Sequence, residues 1–137
     1  MTLLERLNRD DHFARSIGAR LTEVKVGYAR AELDVTDTHL NGAGICQGGV
    51  IYTLSDLAFA AVANCHGILS LGISNTITFM QSARLGDHLV AECTEQLDHH
   101  RLPYCDMKIT NQNGELIAAM TGLEYRTGKE YSYDTFM

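Results

Sequence analysis

Residues 41–64 read NGAGICQGGVIYTLSDLAFAAVAN, passing from a glycine-rich entry into the most apolar segment of the chain with one carboxylate, Asp56, in its middle. At about 100° per residue, Leu57, Val50, Ala61, Leu54, Cys65, Ala58, Ile51 and Val62 fill an arc of roughly 140°. That arc predicts a helix over 48 to about 66 with a core-facing stripe. Asp56 falls roughly opposite its centre, where an ordinary amphipathic helix carries a solvated acid. Its wheel neighbours are Tyr52, Phe59, Ala60 and Ala63, with Thr53 and Asn64 further along, and no Lys, Arg or Glu occurs from 48 to 66. A helix apolar nearly all round is buried on both sides. One side then packs on the chain's own sheet, and the side with Tyr52, Phe59 and Ala63 meets a second subunit or a ligand. A carboxylate on that face is costly unless paired or functional.

The entry to the helix adds chemistry. Gly48 and Gly49 stand where the first backbone N–H groups lack intrahelical partners and where the helix dipole favours negative charge. Without side chains, they let a carbonyl approach the backbone closely. Such a turn is either a plain glycine-rich cap or an oxyanion hole for acyl transfer.

Working outward, residues 2–16 place Leu3, Leu4, Leu7, Phe13 and, beyond, Ile17 at roughly helical spacing, predicting one short amphipathic helix ended by Gly18. LTEVKVGYARAELDV (21–35) alternates on either side of Gly27, which marks a turn between two strands. Residues 37–47 form a loop. After the long helix come four alternating stretches, LGISNTITFMQSA, DHLVAECTEQLDH, LPYCDMKITNQ and ELIAAMTGLEYR. NQNGEL between the last two is a hairpin signal, because Asn-Gly accepts the positive φ of a tight turn. Two strands, a long helix and four strands predict an α+β fold in which a curved antiparallel sheet wraps the helix. The 137 residues make one domain, with a tail from about 129 to 137.

Composition excludes several function classes. A net charge of −6 offers no basic excess to neutralise phosphates, so nucleic acid is not an expected partner. The N-terminal stretch mixes charges of both signs and shows no apolar leader, and Asp56 interrupts the only segment approaching membrane-spanning length. Cys46, Cys65, Cys93 and Cys105 contain no C-x-x-C pair and read as reduced thiols in a cytoplasmic protein. Asp98-His99-His100 lacks a third ligand at useful spacing, so no metal or cofactor is expected.

Residues 41–64 resemble the active-site segment of hotdog-fold acyl-CoA thioesterases, in the PaaI-like branch of phenylacetyl-CoA thioesterases. Asn41, Gly48, Gly49 and Asp56 match that branch at its spacing, and SARLGD (82–87) matches its turn before the next strand. The resemblance runs from about residue 10 to 128. It implies a long helix in a curved antiparallel sheet, which is the element order read above, and an acyl-CoA substrate.

Under the resemblance, Asp56 is general base on water or nucleophile on the thioester. The Gly48 amide polarises the carbonyl, and Asn41 holds substrate or water. Gly49, Ser74, Thr76 and Asn64 line the substrate, and Arg84 is the foremost candidate for the phosphates of coenzyme A. The glycines and the acid of one site come from different subunits of a homodimer, which the family often doubles into a homotetramer. Gln47 departs from the pattern, since many relatives carry His there; an amide hydrogen-bonds but does not titrate. Two other functions fit the fold. One is an enoyl-thioester hydratase or dehydratase, which needs an Asp-His pair that Gln47 does not supply, and the other is a non-catalytic acyl-CoA-binding protein.

Overall fold

The computed structural model describes residues 1–133. Helix α1 (Leu3–Asp10) opens on a capping box, in which the Thr2 hydroxyl accepts from the Glu5 amide at 3.0 Å and the Glu5 carboxylate accepts from the Thr2 amide at 3.1 Å. The single helix expected over 2–16 is two. Asp11 ends α1, and its side chain takes the Ala14 amide at 3.1 Å to start α2 (His12–Ser16). An Asp side chain competing for a backbone donor breaks the run.

Strands β1 (Arg20–Lys25) and β2 (Tyr28–Asp34) flank a turn in which Gly27 has φ 80°. A 3-10 turn at Asp37–His39 leads to the central helix α3 (Gly48–Ala63). Four strands follow: β3 (Ile68–Phe79), β4 (His88–Leu97), β5 (Tyr104–Thr110) and β6 (Leu116–Glu130). They form one antiparallel sheet of six strands in the order β1-β2-β4-β5-β6-β3. The tail expected from 129 is shorter, because Lys129 and Glu130 extend β6. Residues 134–137 of that tail lie outside the described residues.

Alternation along the strands supplies the bed for α3. Leu89, Ala91 and Cys93 of β4, Cys105, Met107 and Ile109 of β5, and Ala118 and Met120 of β6 are all buried. They enclose Leu54, Leu57, Ala58, Ala61 and Val62 of the helix, the stripe read from the wheel. The four cysteines are buried and unpaired.

One expectation about the helix is corrected. Phe59 and Ala63 are 0% exposed within a single chain, so no second subunit is needed to cover them. The reason is Gly122 on β6, where an added Cβ would lie 2.4 Å from a Phe59 ring carbon. The missing side chain lets the β3–β6 pair close over that side of the helix. The unpartnered apolar surface lies elsewhere. Leu71, Ile73 and Phe79 of β3, with Met80 just beyond, are each more than half exposed, and β3 is one of the two edge strands of the sheet.

Candidate active site

The loop before α3 is held from both ends. The Thr36 amide donates to His39 Nδ1 at 3.0 Å, which puts the imidazole proton on Nε2, 2.8 Å from the Ile17 carbonyl that accepts it. The His39 carbonyl in turn accepts from the Gln47 amide at 2.8 Å, and the Cys46 amide donates to the Ala83 carbonyl at 2.8 Å. Asn41 Oδ1 folds the glycine-rich turn, accepting from Ala43 at 2.9 Å and Ile45 at 3.3 Å. Its Nδ2 has no acceptor among the described residues.

Gln47 is the N-cap of α3, and its Oε1 accepts from the Gly49 amide at 2.6 Å. The Gly49 N–H is therefore occupied by the chain itself. The Gly48 N–H has no backbone or side-chain acceptor among the described residues, so it is the donor left open at the positive end of the helix. The Phe79 ring rests on Gly48 so closely that a Cβ there would stand 3.0 Å from it. Asn41, Ile45, Gly48, Phe79 and Ser82 line a cleft of about 290 Å³ at this point.

Asp56 lies in a second polar group, on the side of α3 facing β3 and β6. Burial pushes its carboxyl up from the ordinary range and the negative charge of Asp11 adds to this, while a hydrogen bond from Asn75 works the other way. Asn75 Nδ2 donates to the Tyr52 hydroxyl at 2.7 Å, one helical turn before Asp56. Glu124 completes the group. It is 3% exposed, its Oε2 has no hydrogen-bond partner, and burial followed by the charge of Asp56 pushes its carboxyl up to about 8.

The structure thus brings Asn41, Gln47, Gly48 and Gly49 together and sets Asp56 apart from them. Eight residues of α-helix separate Gly48 from Asp56, which is about 12 Å along the axis. Ser74 and Thr76 are exposed on β3, while Asn75 between them turns toward the helix. Asn64 does structural work: its Oδ1 accepts from the Ser70 amide at 2.9 Å and its Nδ2 donates to the Ala60 carbonyl at 2.8 Å, closing the end of α3. Arg84 borders a neighbouring cleft that shares Gln81 and Ser82 with the one at Gly48. His99 turns its own loop, accepting the Arg101 and Leu102 amides at 3.1 and 3.0 Å. Cys65, His66 and Glu95 bring ligand-type atoms within 4.8 Å of one another. There the Glu95 carboxylate holds the His66 ring at 3.1 Å, and burial pushes the Cys65 thiol up to about 11, a poor start for a thiolate ligand.

Asn75 and Glu124 escape the motif-based reading, though strand parity points to both. Asn75 shares its parity with Ile77, and Glu124 continues the buried row Ala118, Met120, Gly122 along β6. His39 is the third omission. It carries no motif, and only its packing against Ile17 shows what it does.

Comparison with known proteins agrees with this architecture. The Thioesterase superfamily profile matches residues 43–118. A protein of Archaeoglobus fulgidus is 40% identical over 124 residues, covering 90% of this chain and 80% of the relative. The acyl-coenzyme A thioesterase PaaI of Escherichia coli is 29% identical over 119 residues, 87% of this chain and 85% of its own. The solved structure of E. coli PaaI superposes with a TM-score of 0.90, covering 93% of both chains at 27% identity. A Streptococcus mutans protein solved with acetyl CoA bound superposes with a TM-score of 0.79 at 26% identity, over 83% of this chain and 92% of that one. The chain belongs to the thioesterase superfamily. Within it, the fold is the hotdog fold and the chain is PaaI-like.

Proposed function

We propose that this protein hydrolyses an acyl-CoA thioester to the free acid and coenzyme A, at a site built from two subunits. The observation that carries the reading is the division of donors at the head of α3. Gln47 holds the Gly49 amide at 2.6 Å, and the Gly48 amide is left open beside a cleft. A backbone donor at a helix N-terminus is suited to the charge that develops on a thioester oxygen. Asn41 Nδ2, at the rim of the same cleft, steadies the substrate or the attacking water.

Asp56 supplies the second half of the chemistry. As general base it takes a proton from water, whose oxygen attacks the carbonyl carbon; the tetrahedral oxyanion then collapses and the C–S bond breaks, releasing the CoA thiolate. As nucleophile it bonds to the carbonyl carbon, the C–S bond breaks to release the CoA thiolate, and water cleaves the resulting anhydride to the free acid and the Asp56 carboxylate. Either way it must sit within reach of the carbonyl held by a Gly48 amide, and about 12 Å of helix prevents that within one chain. A homodimer joined along β3, with its exposed Leu71, Ile73 and Phe79, brings the two halves together, and pairing of such dimers makes a tetramer. Arg84, which borders the cleft beside that of Gly48, is the proposed partner of a CoA phosphate.

The E. coli relative is an acyl-coenzyme A thioesterase, and the S. mutans relative holds acetyl CoA, which supports this substrate class. The test is release of free CoA thiol from a panel of aryl- and alkyl-CoAs by wild type and by Asp56→Asn. Turnover by wild type that the variant loses supports the proposal. Tight acyl-CoA binding with no thiol release would mean a binding protein instead.

A further inference from the structure

We propose that Glu124 is the charge partner of Asp56: a carboxyl buried against α3 behind Asp56, whose negative charge drives that of Asp56 toward the thioester. The proposal rests on the reading of Asp56 as base or nucleophile and adds a residue that the motif does not contain.

The placement comes from three contacts between α3 and the β3–β6 pair. Tyr52 meets Asn75 at 2.7 Å, Phe59 packs on Gly122, and Asn75 is the cross-strand partner of Gly122. The stretch of helix carrying Asp56 therefore lies over the inward row of β6, where Glu124 follows Gly122. Opposite Glu124 on β3 is Gly72, which offers no side chain, and Glu124 Oε2 ends without a hydrogen-bond partner. A carboxylate in that position would be charged, buried and unanswered, which is why the group keeps its proton.

The other ionisable groups near it leave this pairing intact. On β4, Cys93 is a buried thiol pushed far up, and Glu95 is engaged with His66, which follows α3. On β5, Cys105 is a buried free thiol. On β6 itself, Arg126 stands two residues on, but its guanidinium is turned to Asp98 at 2.8 Å. The negative charge of Asp11, the N-cap of α2, acts on Asp56. Asp56 is the one charge that acts on Glu124 from the helix.

The consequence for rate follows from where charge moves. In both routes Asp56 begins negative and gives that charge up, by taking the water's proton or by bonding to the carbonyl carbon, while the thioester oxygen becomes negative. With Glu124 ionised, its proton having passed to solvent, the initial state contains two like charges in a poorly solvated place. The transition state relieves that repulsion, so kcat rises.

Two measurements test this. The first is kcat at saturating acyl-CoA against pH for wild type and Glu124→Gln. Wild type should show two plateaus, the upper roughly three- to tenfold above the lower, with the step near the ionisation of Glu124; the variant should keep the lower plateau and lack the step. A step that survives in Glu124→Gln, or a wild type that turns over with no step, overturns the proposal and leaves the thioesterase reading standing. The second measurement needs no turnover. The carbon-13 resonance of the Glu124 carboxyl should titrate well above the ordinary carboxylate range in wild type and move down in Asp56→Asn. An ordinary titration, or one indifferent to Asp56→Asn, overturns the pairing. A coupled titration in a protein that releases no thiol from any acyl-CoA upholds the pairing and removes the thioesterase reading.

Discussion

Asp56 and Gln47 carry different loads, and substitution should separate them. Asp56→Asn keeps the side-chain shape and removes the proposed base or nucleophile, so kcat should fall by roughly two to four orders of magnitude. Thermal stability should hold or rise, since a half-buried carboxylate is replaced by a neutral group. The Gln47 side-chain oxygen holds the Gly49 amide at 2.6 Å, so its part is to fix the turn that presents Gly48. Gln47→Ala should cost about 1–2 kcal/mol in kcat/KM, the scale of one cap hydrogen bond. If Gln47→Ala proved as inactive as Asp56→Asn, the amide would belong to the chemistry rather than to the scaffold. Glu124 makes a prediction about stability. Its carboxyl is raised in the folded state to about 8, so the folded protein holds a proton that the unfolded chain has released once pH exceeds the ordinary Glu range. The contribution of this group is then full below that range and is lost as pH rises toward 8, by about 1.4 kcal/mol per unit at most. Glu124→Gln should flatten that decline in urea denaturation curves taken at several pH values.

Among elements, the pairing of α3 with β3 and β6 decides where the site groups go, and one glycine permits it. Gly122 has no positive φ; its value lies in the space where a Cβ would come within 2.6 Å of two Phe59 ring atoms and 2.8 Å of Asn75 Oδ1. Phe59 is wholly buried and cannot swing away. Gly122→Ala should therefore destabilise by about 1–3 kcal/mol. It should also lower kcat through displaced Asn75, which thermal melts and kinetics on the same preparation would report. This level also explains what the sequence could show. The head of α3 was legible because Asn41, Gln47, Gly48 and Asp56 are neighbours in sequence, and periodicity alone put Asp56 on the unusual face. Which partner that face met was not legible. Phe59 and Ala63 looked like interface residues on the wheel, but the decision belongs to Gly122, some sixty positions away, whose significance appears only once β6 lies beside β3. Ser74 and Thr76 follow from the resemblance, whereas Asn75 shares the parity of Ile77 and is the residue that turns toward the helix. Asn64 looked available as a polar group on an apolar helix, yet it is the residue that ends the helix.

For the whole molecule, the separation of Gly48 from Asp56 turns a question about assembly into one about activity. Gly48 is the first residue of α3, a position where proline is tolerated because its missing N–H would have no intrahelical partner. The preceding Gln47 has φ −65° and ψ 136°, an extended conformation that accepts a following proline. Gly48→Pro thus deletes the open amide while keeping the helix; the half-exposed Phe79 ring must move a little to admit it. Homo-oligomers of Gly48→Pro should lose most of their turnover, as those of Asp56→Asn do. When the two inactive variants are co-refolded in equal amounts, half of the dimers should be mixed. Each mixed dimer then contains one site with both Gly48 and Asp56 intact, so about a quarter of wild-type activity should return. Complementation of that size, with light scattering showing dimers or tetramers, is the expected result. If mixing restored nothing while both variants remained folded and exchanged subunits, each site would be built within one chain. The same preparations carrying Ile73→Lys on the exposed edge of β3 should scatter as monomers and show no complementation, because a charge on that edge prevents the strand pairing that assembles the site.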